Sequence, residues 1–201
     1  MKEKKNNPKI FISHAGKDEA ISEKLKSQLQ ENGFEVIMND KLLSYKGSIY
    51  DLMNESIDNA KYIIILISES YLTSKHCMFE FTEISRNLNF SNKCFPLIIK
   101  NTDIFSNKKK YVVYWESIIN NIEKELKYED ENSNENNRLL YDLNICTNNK
   151  YKVDNLFNYL NHMYTFEIGE HLDEVIKGFT NAIETKSKID NQKALEDDTT
   201  K

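Results

Sequence analysis

His76, Cys77 and Glu80 place an imidazole, a thiol and a carboxylate within five positions, in the stretch SESYLTSKHCMFEF (Ser68 to Phe81). At about 100° per residue on a helix, Cys77, Phe81, Ile84 and Leu88 form one narrow apolar stripe. Glu80 then lies about 60° from Cys77, on the flank of that stripe, and Glu83 about 120° away, turned further toward water. A carboxylate beside a buried face is costly unless it has a partner or a task. One partner is His76, four residues earlier on the same flank, in an i,i+4 surface pair that contributes about 0.2–0.5 kcal/mol. The task would be chemistry, because a fixed carboxylate can stabilise a cation that develops during bond breaking. A thiol–imidazole couple between His76 and Cys77 is disfavoured, since adjacent helical side chains diverge by about 100°.

The elements around this stretch decide where those groups would stand. Lys9 to His14 (KIFISH) reads as a strand that ends in a polar turn, Ala15-Gly16-Lys17. Ser13 and His14 are either turn formers at its end or part of a site. Asp18 is placed to cap the next helix, in which Ile21, Leu25 and Leu29 recur every four residues before Gly33 closes it. Phe34 to Asp40 (FEVIMND) is rich in strand formers. After a polar loop, Lys41 to Gly47, Ser48 and Asp51 give an S-x-x-D capping pattern ahead of Met53 and Ile57. Ile63 to Ile67 is the short apolar run expected of a strand buried on both faces. The helix with Glu80 follows it. Cys94 to Ile99 (CFPLII) is a further strand, against which Pro96 counts mildly, since proline favours edges. Strands and helices thus alternate four times, which specifies an α/β domain with a parallel sheet and right-handed crossovers. The Glu80 helix begins just past the C-terminal end of a central strand, the edge at which open α/β sheets bind ligands.

Beyond Lys100 the pattern is weaker. Lys108-Lys109-Lys110 reads as a solvated charge cluster, and 129–137 (EDENSNENN) as a polar surface insertion. Residues 154–168 carry apolar positions at mixed spacing, compatible with a helix or a strand. Leu172, Ile176, Phe179 and Ile183 mark a final amphipathic helix. The division expected is a flexible tail over 1–8, a single domain over 9–186, and a disordered polar tail over 187–201.

Composition narrows the function classes. The chain has 201 residues, 39% hydrophobic and 29% charged, with a net charge of −5. That suits a globular domain with a real core. The acidic balance argues against a general nucleic-acid binder, which needs a basic footprint, and more weakly against an anionic membrane surface. No run approaches the roughly 20 apolar residues of a membrane span, and the first residues lack a signal-peptide core, so the cytoplasm is the expected compartment. Cys77, Cys94 and Cys146 form no C-x-x-C, and with His14, His76, His162 and His171 they show no metal-ligand spacing. No metal and no bound cofactor are expected. Neither a Walker A nor a G-x-G-x-x-G loop is present. Trp115, near Tyr111 and Tyr114, reads as a packing residue.

Four blocks, taken in order, resemble the Toll/interleukin-1 receptor (TIR) domain family: KIFISHAGKD (Lys9 to Asp18), FEVIMND with LLSYKGS (Leu42 to Ser48), IIILISESYLTS (Ile63 to Ser74) and CMFEF (Cys77 to Phe81). They cover about residues 9–99, and the remainder matches loosely through the final helix. The resemblance implies a flavodoxin-like parallel sheet flanked by helices, ordered 2-1-3-4, with an enlarged C-terminal part. It also implies an NAD⁺-consuming activity of the kind found in bacterial members, in which a glutamate of this helix is essential. Glu80 matches that position. NAD⁺ would be a substrate rather than a cofactor, with contacts from Ser13, His14, Asp40, Lys46, Gly47, Ser48, Ser68, Tyr71 and His76. Lys46 would meet the pyrophosphate, if it is not simply a solvated loop lysine.

Two positions depart from the family pattern. A tryptophan often found four residues before the glutamate is His76 here, and a Pro-Gly often found in the mobile BB loop is Lys46-Gly47. Partners implied are further TIR domains, by self-association, and a separate effector or sensor protein. The setting implied is bacterial immune (antiphage) defence. The competing reading is a non-catalytic TIR adaptor, or a virulence TIR protein, with Glu80 on an interface helix.

Overall fold

The computed structural model describes residues 8–38, 55–86, 90–100, 104, 107–162, 166–168, 172–183 and 185. Asp40, Lys46, Gly47, Ser48 and the S-x-x-D cap lie outside them, as do residues 1–7 of the N-terminal tail and the C-terminal tail over 187–201. The strands are β1 (Lys9–Ser13), β2 (Glu35–Met38), β3 (Tyr62–Ile67), β4 (Cys94–Ile99) and β5 (Phe166–Ile168). The helices are α1 (Glu19–Glu31), α2 (55–59), α3 (Glu69–Leu72), α4 (Lys75–Arg86), α5 (Phe90–Lys93), α6 (Lys108–Leu126), α7 (Asn134–Asn161) and α8 (172–183). All strands are parallel, in the order β2-β1-β3-β4-β5. The expected order of the first four strands holds, and β5 extends the sheet beyond β4.

The pleat sorts the apolar residues into two cores. Phe11, Ile63, Ile65 and Ile67 face α4, α6 and α7, packing on Cys77, Met78, Phe81, Ile84, Tyr111, Trp115 and Leu156. Ile10, Ile12, Ile64 and Leu66 face the opposite way, onto Leu25 and Leu29 of α1 and Ile176 and Phe179 of α8. Every residue of β3 is buried, which is why that segment reads as an uninterrupted apolar run. Burying each such isoleucine contributes about 1.5–3 kcal/mol. Gly33 ends α1 with φ +86°, the left-handed conformation that a residue with a Cβ resists. The Phe34 amide there donates back to the Leu29 carbonyl.

Some expectations need correction. The Asp18 carboxylate makes no capping bond to α1; it accepts from Ser68 Oγ at 2.5 Å instead, tying the β1–α1 turn to the end of β3. Pro96 sits between two strands rather than on an edge, and the described pairing with β5 begins only one residue later, at Leu97. The lysine cluster opens α6, and two of its members form ion pairs across the surface, Lys108 with Asp154 and Lys110 with Glu69. The polar 129–137 segment is a short exposed connection followed by the first turn of α7, capped by Ser133 Oγ accepting from the Asn136 amide. Residues 154–168 hold both a helix end and a strand. Among the described residues, no helix is long and apolar enough to cross a membrane.

Candidate active site

The chain leaves β1 for β2 on one side and returns to β3 on the other, so the β1–β3 boundary is the sheet's switch point. Crevices at such points, outside the strand C-termini, are where ligands sit in this class of sheet. Ser13 ends β1, His14 follows it, and Ser68 follows β3. Ser68 starts α3 by accepting from the Tyr71 amide at 3.0 Å, and its hydroxyl donates to Asp18. That cap turns Tyr71 back over the end of β1. Ser74 then starts α4 by accepting from the Cys77 amide, which brings Cys77 and Glu80 to the same edge.

Glu80 is buried, at 8% exposure, deeper than a helix flank suggests. The reason is a bond across the fold: Ser13 Oγ donates to Glu80 Oε2 at 2.6 Å. Hydroxyl-to-carboxylate bonds of this length are the strong, charge-assisted kind, and such a partner offsets part of the desolvation of a buried carboxylate. The Tyr71 hydroxyl lies 3.0 Å from the same Ser13 oxygen. A serine hydroxyl carries a single proton, and Ser13 gives it to Glu80, so Tyr71 donates to Ser13. The result is a directed chain, Tyr71 to Ser13 to Glu80, wholly within the protein.

The neighbours feel the carboxylate. Burial, then Cys77 and then Glu80 hold the Tyr71 hydroxyl well above its ordinary range, so it stays a proton donor. Burial, reinforced by Glu80, pushes the Cys77 thiol up to about 12 from an ordinary 9.0, and Cys77 Sγ donates to the His14 carbonyl at 3.6 Å. Cys94, fully enclosed, is likewise pushed up to about 12 by burial. All three cysteines are free and buried, as expected of inert thiols. A thiol whose folded value is raised keeps its proton longer when folded than when unfolded. The stability this supplies is complete below pH 9.0 and is lost as pH rises through about 12. Chemical denaturation at pH 8, 9.5 and 11 is expected to show the unfolding midpoint falling steadily, and Cys77→Ser should flatten part of that fall.

The structure therefore gathers Ser13, His14, Ser68, Tyr71 and Glu80 at one edge. It does not bring His76 to them. His76 is exposed and lines a surface groove with Tyr114, Trp115, Arg138 and Asp142, formed where α6 and α7 pass over the start of α4. Glu83, expected nearer water, has a side chain only 14% exposed and pairs with Arg86 at 2.5 Å. Cys77 and Asp18 belong to the site network although the sequence pointed to neither as a site residue. Their only signal was position, at a helix start and after a strand end.

Comparison with known proteins agrees with this architecture. The TIR domain family matches residues 10–127. TMV resistance protein N of Nicotiana glutinosa is 25% identical over 127 residues, a stretch that spans 61% of this chain and 11% of that protein. Among solved structures, the TIR domains of the activated Roq1 resistosome, described as directly recognizing the pathogen effector XopQ, superpose with a TM-score of 0.60 at 16% identity. That alignment covers 88% of this chain and 99% of the other, and at such identity it speaks to the fold.

Proposed function

This chain belongs to the TIR domain family, and we propose that within it the protein is an enzyme that cleaves the nicotinamide–ribose bond of NAD⁺. The observation that supports this most is the Glu80 carboxylate, buried at the switch point and fixed by Ser13. When the bond breaks, its electron pair leaves with neutral nicotinamide, and the ribose carbon is left oxocarbenium-like. A carboxylate held beside that carbon stabilises the charge, and does so more strongly where water is scarce. Water attacking the same carbon yields ADP-ribose; attack from within the molecule yields a cyclic isomer. In this reading Ser13 and Tyr71 keep Glu80 oriented, and Ser68 shapes the α3 turn beneath the substrate. Lys46, which lies outside the described residues, supplies in this reading the positive charge that meets the pyrophosphate. NAD⁺ is consumed rather than retained as a cofactor.

We further read the protein as a cytoplasmic immune-signalling enzyme of the bacterial branch that acts in antiphage defence and self-associates through TIR–TIR contacts. The relative's name as a resistance protein and the neighbour's resistosome assembly support an immune, assembled context. The test is incubation of the purified protein with NAD⁺ across a wide range of protein concentration, with products resolved by mass. Nicotinamide release with a rate per molecule that rises with concentration is expected. No release at any concentration would instead favour the adaptor reading.

A further inference from the structure

Four contacts from the α6–α7 hairpin converge on residues 72–75, the turn between Tyr71 and the helix of Glu80. Trp115 Nε1 donates to the Leu72 carbonyl at 3.1 Å, and the Tyr114 hydroxyl to the Thr73 carbonyl at 3.1 Å. Asn149 Nδ2 donates to the Lys75 carbonyl at 3.3 Å, and Lys75 Nζ pairs with Asp142 at 2.7 Å. Trp115 and Asn149 are each 1% exposed. The need for such partners is local. α3 is a single turn of four residues, and the last carbonyls of any helix lack partners within it. Supplied from α6, those partners fix where α3 stops and α4 starts.

We propose that the α6–α7 hairpin is the positioning element of the catalytic edge, with Trp115 and Asn149 as positioning residues that hold Glu80 in register with Ser13. The inference rests on the catalytic reading of Glu80. The Tyr71–Ser13–Glu80 chain bridges α3, β1 and α4, so a shift at the 72–75 turn moves Tyr71 and Glu80 against each other while β1 stays in the sheet. The polar contacts of these hairpin groups go to the 72–75 turn rather than to Ser13 or Glu80, so they act through the backbone of that turn. A partner that displaced the hairpin would therefore change turnover without approaching the carboxylate.

The test uses Trp115→Phe and Asn149→Leu, which remove one donor each, beside Tyr159→Phe. Tyr159 is also on α7, but its hydroxyl donates to the Cys94 carbonyl of β4 at 3.4 Å, away from the turn. Well below the melting temperature, the first two variants are expected to lose kcat by about tenfold to a hundredfold with KM unchanged, the range reached by small misplacements in a reacting geometry. Tyr159→Phe should keep kcat. In parallel, amide hydrogen exchange over 69–82 should quicken in Trp115→Phe and Asn149→Leu and not in Tyr159→Phe. Unchanged exchange across that segment, or an equal loss of kcat in all three variants, overturns the proposal. If the wild type releases no nicotinamide, the catalytic reading fails on its own, and the exchange pattern alone decides whether the hairpin sets the turn.

Discussion

Glu80→Gln is expected to lower nicotinamide release by about 10²–10³, the loss typical of removing one preorganised electrostatic contact. Glutamine keeps the size and one acceptor oxygen, so Ser13 Oγ retains a partner. Removing the charge also removes its desolvation, which offsets the weaker hydrogen bond. The unfolding free energy should therefore change by no more than about 1 kcal/mol. Glu83→Gln is the matched control. Its carboxylate pairs with Arg86 and lines a groove toward α7 rather than the sheet edge, so turnover should stay at the wild-type level. Nicotinamide release and thermal melting of the two variants separate the cases. Equal turnover by wild type and Glu80→Gln would sink the assignment.

Phe81→Ala should do the reverse. Phe81 is 1% exposed in the core formed by β1, β3, α4 and α6. Deleting its ring forfeits the transfer free energy and leaves a cavity, together about 3–5 kcal/mol. Whole domains hold only about 5–15 kcal/mol, so the urea midpoint should drop by a large fraction of its wild-type value. Molecules that remain folded in the absence of denaturant should still turn over NAD⁺. Adjacent residues on one helix would thus divide chemistry from stability. A urea midpoint within experimental scatter of wild type would show that the core closes over the missing ring.

The sheet was largely legible because its signals are local. An unbroken apolar β3, Gly33 after an every-fourth-residue helix and a resemblance carried by four ordered blocks all lie within short windows. The placement of Glu80 was half legible. Helical geometry located it on the flank of the apolar stripe, but its burial comes from Ser13, far away in sequence, and no window contains both. The surroundings of His76 were illegible for a related reason. Helix periodicity places it on the Glu80 flank, but only the packing of α6 and α7 over the start of α4 makes it an exposed residue lining their groove.

Those two helices were missed because their pattern is diluted. The buried positions of α7 include Asn136 and Asn149 beside Leu139, Cys146 and Val153, so its inward face is not apolar throughout. An asparagine inside such a face reads as a loop residue until its acceptor, the Lys75 carbonyl, is known. Tyr111 and Trp115 of α6 are likewise buried one turn apart, behind a lysine-rich start that suggested exposure.

The position of β5 bears on how the chain reaches this state. β5 pairs in register with β4, yet both long helices lie between them in sequence. Closing so long a loop before any contact forms is entropically unfavourable, with a cost that grows only slowly with length. The α6–α7 pair is built from near neighbours, and local helical contacts form quickly, whereas distant strand pairings come late. Once formed, the two helices shorten the span that β5 must cross to reach Leu97. The fifth strand thus completes a sheet whose first four strands can already pair, and its pairing with β4 is expected to form late in assembly.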